Sequence, residues 1–159
     1  MGMYGIATIF ENSITGYEFL SDNIPLHLSH VDSFEVELTA EQLAKKLSAS
    51  LTYQKTLQVK VLRDACYGPE KDILVAELEL TPDLSSLHIR IMDMLTQVGA
   101  IFKNPHFHND GYSPHISIYE NRRVSIGEVV TIDQVSIGSK VSDDGDAATR
   151  ILATIDFKN

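Results

Sequence analysis

Apolar and polar positions alternate from the start of the chain. Tyr4, Ile6, Thr8 and Phe10 fall on one face and Met3, Gly5, Ala7 and Ile9 on the other, which predicts a strand over residues 3–10. The stretch "ENSITGYEFLSDN" is polar and irregular, a loop or at most one turn of helix. Residues 25–31 alternate again, with Pro25 at the start of the strand, where its missing N–H does least harm. In "TAEQLAKKLSASL", Thr39 and Gln42 form a capping-box pattern and Leu43, Leu47 and Leu51 repeat at helical spacing, predicting a helix of about three turns.

"YQKTLQVKVLRD" and "KDILVAELEL" read as two strands of a hairpin, turned at "ACYGPE". A second helix follows in "TPDLSSLHIRIMDMLTQVG". Pro82 stands early in it, Asp83 or Ser85 is the cap, Leu84, Leu87, Ile91 and Leu95 make the apolar face, and Gly99 is the stop. "FKNPHFHNDG" is a loop and "YSPHISIY" a strand; "GEVVTIDQVSIGSK" and "TRILATIDF" are two more, separated by the turn "SDDGD". Two helices among some seven strands indicate an α+β fold with mostly antiparallel sheets.

The length of 159 residues fits one domain, 1–159, able to bury about two thirds of its unfolded surface without a disulfide or metal staple. Cys66 is the one cysteine, so no internal disulfide forms; a reducing compartment and an inert, small apolar role are expected for it. The apolar start lacks the basic residues and cleavage site of a signal peptide, and no run reaches the roughly 18 to 20 apolar residues of a membrane helix. A soluble, cytoplasmic monomer is expected. The net charge of -9, with scattered lysines and arginines, argues against extended nucleic acid as a partner, because that binding relies on a basic surface.

The candidate chemistry lies in "PLHLS" and "YSPHISI". On a strand His27 and Ser29 point the same way, as do His115 and Ser117, about 7 Å apart along each strand, while Leu28 and Ile116 face the core. As bare patterns two H-x-S are unremarkable. Their context is not: each lies on an expected strand, has an apolar middle residue, follows a proline within two positions, and occupies its own half of the chain. Histidine, with a reference pKa near 6.5, can give or take a proton around neutrality.

These residues resemble the paired motifs of the two-histidine (2H) phosphoesterase superfamily, which includes the bacterial 2′-5′ RNA ligases or RNA cyclic phosphodiesterases. "ILVAELELTPDLSSLHIRIMDML" is similar to the strand and helix preceding that family's second motif, and "VVTIDQVSIGSKVSDDGDAATRILATIDF" to its final hairpin. The resemblance implies two pseudo-symmetric lobes with helices outside and a central cleft. It also implies His27 and His115 as general acid and base, in either order, Ser29 and Ser117 as phosphate-binding groups, and no metal or other cofactor. Many members carry a long helix where this chain has "ENSITGYEFLSDN", and members acting on RNA ends often carry a basic residue where Tyr119 and Glu120 stand. A divergent member is therefore expected, acting on a small nucleotide or RNA end: a 2′,3′-cyclic phosphate, a 2′-5′ linkage or a cyclic dinucleotide.

Tyr119 continues the face of His115 and Ser117 and is a candidate for the cleft wall; Tyr112 is either a stacking residue or packing. His30 should point away from His27, and His88 is a packed or surface residue. Two other readings remain: a module that binds a nucleotide without cleaving it, and a metal-dependent hydrolase built on His106, His108, Asp110 and His115.

Overall fold

The computed structural model describes residues 2–11, 15–20, 23–140 and 148–158. The "SDDGD" turn lies outside them, as does part of "ENSITGYEFLSDN". The strands are β1 (Gly2–Ile9), β2 (Glu18–Leu20), β3 (His27–Val36), β4 (Leu57–Tyr67), β5 (Ile73–Leu78), β6 (Ile101–Phe102), β7 (His115–Ser117), β8 (Val129–Ile132), β9 (Gln134–Lys140) and β10 (Ala148–Asp156). Two helices, α1 (Ala40–Ser50) and α2 (Pro82–Gln97), complete the set, with two short 3₁₀ turns between β6 and β7.

The strands form one curled sheet in the order β2-β10-β9-β1-β3-β7-β5-β4-β8, with β6 pairing β3 beside β7. Neighbouring strands run antiparallel throughout, and the fold is α+β, with two lobes meeting at the β3–β7 seam. Leu28 and Ile116, both fully buried, join one apolar cluster with Leu43 and Leu47 of α1 and Leu84, Leu87, Ile91 and Leu95 of α2. The helices therefore cover the face of the sheet that Leu28 and Ile116 point into, and the opposite face stays open.

Several local expectations are met and several shift. Thr39 caps α1, its hydroxyl accepting from the Gln42 N–H at 3.2 Å while its own N–H donates to Gln42 Oε1 at 3.0 Å. The cap of α2 is Thr81, not Asp83 or Ser85: its hydroxyl accepts from the Leu84 N–H at 3.1 Å. Pro82 is the first helical residue, where its fixed φ suits the helix, and Asp83 falls in the first turn beside the positive end of the dipole. Gly99 follows α2 at φ +81°, a conformation that disfavours a side chain.

The β4–β5 hairpin runs further than expected, Tyr67 pairing with Ile73, so "ACY" is strand and the turn starts at Gly68. Cys66 is exposed there rather than packed. "YSPHISIY" keeps only His115–Ser117 as strand, and "GEVVTIDQVSIGSK" divides into β8 and β9 around Asp133. Glu18–Leu20, expected as loop, adds to the sheet edge by pairing with β10.

Beneath β3, on the helical side, three imidazoles tie the first lobe to the segment that leads into β7. Thr8 donates to the Gln134 carbonyl at 2.7 Å, so its oxygen accepts from His30 Nε2–H, also at 2.7 Å. His88 donates from Nδ1 to the His30 carbonyl at 2.8 Å and accepts from the Asn109 N–H at Nε2, at 2.9 Å. His108 meets Asp32 at 2.8 Å. The 105–111 segment folds tightly enough that a Cβ on Gly111 would collide with the His106 carbonyl.

His30 and His88 are both buried, and desolvation lowers their pKa values to about 3 and about 4, with each also repelled by a neighbouring histidine. Protonating His88 would also break its bond from Asn109. The unfolded chain takes up these protons near pH 6.5 and the folded chain refuses them, so stability is complete above that value and falls on acidification toward pH 4. Urea unfolding at pH 7, 6 and 5 should show a loss on the order of 3 kcal/mol over this range. A flat profile would contradict the neutral, buried state of the pair.

Candidate active site

The two H-x-S segments are brought together by one antiparallel contact, Leu28 opposite Ile116. That register sets His27 opposite Ser117 and Ser29 opposite His115. With Leu28 and Ile116 turned inward, all four polar side chains share the open face and are half-buried. His27 and His115 lie on a diagonal, whose strand positions are roughly 7–8 Å apart.

Both imidazoles are oriented in the same way. His27 Nδ1 meets the Pro25 carbonyl at 2.8 Å, and His115 Nδ1 meets the Ser113 carbonyl at 2.8 Å. A carbonyl can only accept, so Nδ1 carries the proton in each ring and Nε2 is the atom left to exchange one. Each partner is the carbonyl two residues back, next to or at a proline, so Pro25 and Pro114 help shape both bends. The preceding carbonyls are fixed too, Leu26 accepting from Phe10 at 2.9 Å and Pro114 from Leu78 at 3.0 Å. A set of this kind can take a proton on one side of a phosphorus and give one on the other, with two hydroxyls between.

The surroundings of the two rings differ. Across from His27 on β1 is Ile9, whereas across from His115 on β5 is Glu77. Glu77 accepts from Tyr67 and, at 2.8 Å, from Arg63; the Tyr67 hydroxyl in turn meets Ser113 Oγ at 2.7 Å. The Tyr67 bond, then Arg63 and His115, hold the Glu77 carboxyl below its usual range despite partial burial. Tyr67 sets its ring edge against His115, centroids 4.7 Å apart. None of these residues was singled out by sequence. Glu77 and Tyr67 stand on an ordinary alternating hairpin, and only the β5–β7 pairing turns them toward His115.

Tyr112 packs on the helical side, stacked on His88 with ring centroids 3.9 Å apart, and donates to the Ser29 carbonyl at 3.1 Å. Tyr119 lies past the end of β7, in a turn that bridges to Arg122; its side chain bonds Ser117, and the Arg122 guanidinium sits 4.9 Å over its ring. Arg122 reaches across the seam to Glu11 at 3.1 Å and to the Ile24 carbonyl at 2.9 Å, fastening the entry to the first motif to the exit from the second. His30 points away from the face, as its position on the strand predicts. His106 is exposed while His108 is buried against Asp32, so the H-x-H rings are not brought together, and no group of three or more possible metal ligands occurs among the described residues. This arrangement does not favour the metal site weighed as a rival on that loop.

No family model and no curated protein matches the sequence. Solved structures do match in fold. A phosphoesterase crystal structure aligns over 100% of both chains at TM-score 0.60 and 16% identity. E. coli LigT complexed with 3′-AMP aligns over 99% of both at TM-score 0.60 and 15% identity. TT0787 of Thermus thermophilus aligns over 98% of this chain and 97% of its own at TM-score 0.61 and 13% identity. The chain shares the fold of E. coli LigT and of this phosphoesterase.

Burial lowers the His27 pKa below 6.5, the Pro25 carbonyl opposes that shift, and electrostatic repulsion from His115 adds to it. Followed by NMR, His27 should titrate below 6.5 and move upward in a His115→Gln variant. An unmoved value would mean that the two rings do not share a field.

Proposed function

We propose that this chain is a metal-independent phosphodiesterase acting on a small nucleotide. The observation that carries the reading is the placement of His27, Ser29, His115 and Ser117 on one open face, with both Nε2 atoms left to exchange protons. In this reaction water attacks phosphorus and the bond to the leaving oxygen breaks. One imidazole accepts the proton of the water and the other donates a proton to the leaving oxygen, so the pair ends with its protonation states exchanged. Ser29 and Ser117 hold the non-bridging oxygens and, with the imidazolium, offset the charge that builds there.

The fold supports the reaction class, and the size of the ligand fits the acidic surface. E. coli LigT, of the same fold, has been crystallised with 3′-AMP, with ATP, with NADP+ and with phosphate. A mononucleotide or dinucleotide of this kind needs no basic track along the protein. One sheet running through both lobes supports their acting as a single domain. Substrates in this reading are 2′,3′-cyclic mononucleotides, 2′-5′ dinucleotides or cyclic dinucleotides.

A turnover screen over these three classes in excess EDTA, with wild type beside His27→Ala and His115→Ala, tests the proposal. Wild-type turnover should persist in EDTA, and each variant should lose on the order of 10²–10⁴-fold while keeping its melting temperature within a few degrees. Near-normal activity in either folded variant would sink the assignment. Unchanged nucleotide with a raised melting temperature would favour a binding module instead.

A further inference from the structure

The open face is not the same on the two sides of the seam. Beside Ser29 the residue on β1 is Ala7, and beyond Ala7 on β9 is Ser136; one row along, Gly5 stands next to Gly138. At these positions three adjacent strands carry small residues, a floor extending roughly 10 Å from β3 at the usual strand spacing. Beside Ser117, by contrast, the residue on β5 is Val75, and beside His115 it is Glu77 with Arg63 and Tyr67 attached.

The floor of small residues bounds a cavity of about 280 Å³ whose lining includes His27 and Ser29. Phe19 of β2, Ile24 and the exposed Lys140 also line it. The lining is mostly apolar. Asp32 also lines it, with its carboxylate engaged by Asn104 at 2.7 Å and His108 at 2.8 Å. A volume just under the about 300–1,000 Å³ of small-molecule sites suits one ring system and its sugar better than a chain of nucleotides.

We infer that this slot is the nucleoside subsite of the first lobe, seating the purine or pyrimidine ring of a nucleotide whose phosphate lies between His27 and His115. The inference rests on the phosphodiesterase reading for the position of the phosphate, but not on cleavage. A planar heterocycle has an apolar face to lay on Gly5, Ala7 and Gly138, and an edge that presents hydrogen-bonding groups to the rim. Phe19 supplies an aromatic surface against it, and stacking of this kind is tolerant of which base is bound. The slot lies next to the phosphate position rather than along a groove, so it favours a terminal or single nucleoside over the interior of an oligonucleotide.

Calorimetric titration with adenosine 3′-monophosphate, uridine 3′-monophosphate and the base-less glycerol 2-phosphate tests this directly, with EDTA-resistant turnover measured on the same samples. Wild type should bind both nucleotides at least about tenfold more tightly than glycerol 2-phosphate. Ala7→Leu, which fills the floor, should bring the three ligands to within about twofold of one another. Phe19→Ala, which trims a half-buried side chain outside the apolar core cluster, should weaken nucleotide binding about five- to tenfold and cover the case in which Ala7→Leu does not fold. Equal affinities in wild type, or a preference that survives both substitutions, would overturn the subsite. A preference without turnover would sink the hydrolase and leave the slot standing; turnover without a preference would sink the slot alone.

Discussion

The pairing of Leu28 with Ile116 is the constraint on which the candidate site depends. Strand side chains alternate with a period of two, so sliding β7 by one residue would send His115 and Ser117 into the apolar layer and bring Ile116 out. The fully buried positions of Leu28 and Ile116 in the core cluster oppose such a slip. The strand contact itself is short, and what fixes it comes from both flanks. Phe10 holds the Leu26 carbonyl on one side and Leu78 holds the Pro114 carbonyl on the other.

A second layer of support lies under β3. Its carbonyls at Ser29 and His30 accept from Tyr112 and His88, and His88 also receives the Asn109 N–H. The segment that leads into the second motif is therefore fastened to the backbone of the first. Histidine suits this place because one ring nitrogen donates and the other accepts, joining a carbonyl of β3 to an N–H of the 105–111 segment. The neutral ring is required for that pattern, and burial favours it. Arg122 makes a further tie at the opposite end of the seam, from beyond β7 to Glu11 and Ile24.

Around this symmetric centre the lobes have diverged. The two imidazoles are held by the same bond to a carbonyl two residues back, yet one faces Ile9 and an open cavity and the other faces Glu77 and Tyr67. The equivalent rings therefore stand in unequal surroundings. The small residues of β1 and β9 give the first lobe room that the side chains of β4 and β5 occupy in the second.

The sequence by itself determined the local matters: both helices, Thr39 as a cap, the hairpin, the alternation that puts His27 with Ser29 and His115 with Ser117, and the exclusion of His30 from that face. These follow from periods of two and 3.6 and from chemistry within a few residues. It misjudged the ends of elements, as at Thr81 and Tyr67, where a proline or a cross-strand partner shifts the boundary. The tertiary structure alone decided that β3 and β7 are neighbours in one register and that Tyr112 and His108 are buried on the helical side. It alone decided that Glu77 and Tyr67 stand beside His115, and that the small residues of β1 and β9 form one floor. Each of these is a contact between segments far apart in the chain, and no periodicity within a segment carries information about which partner it will meet.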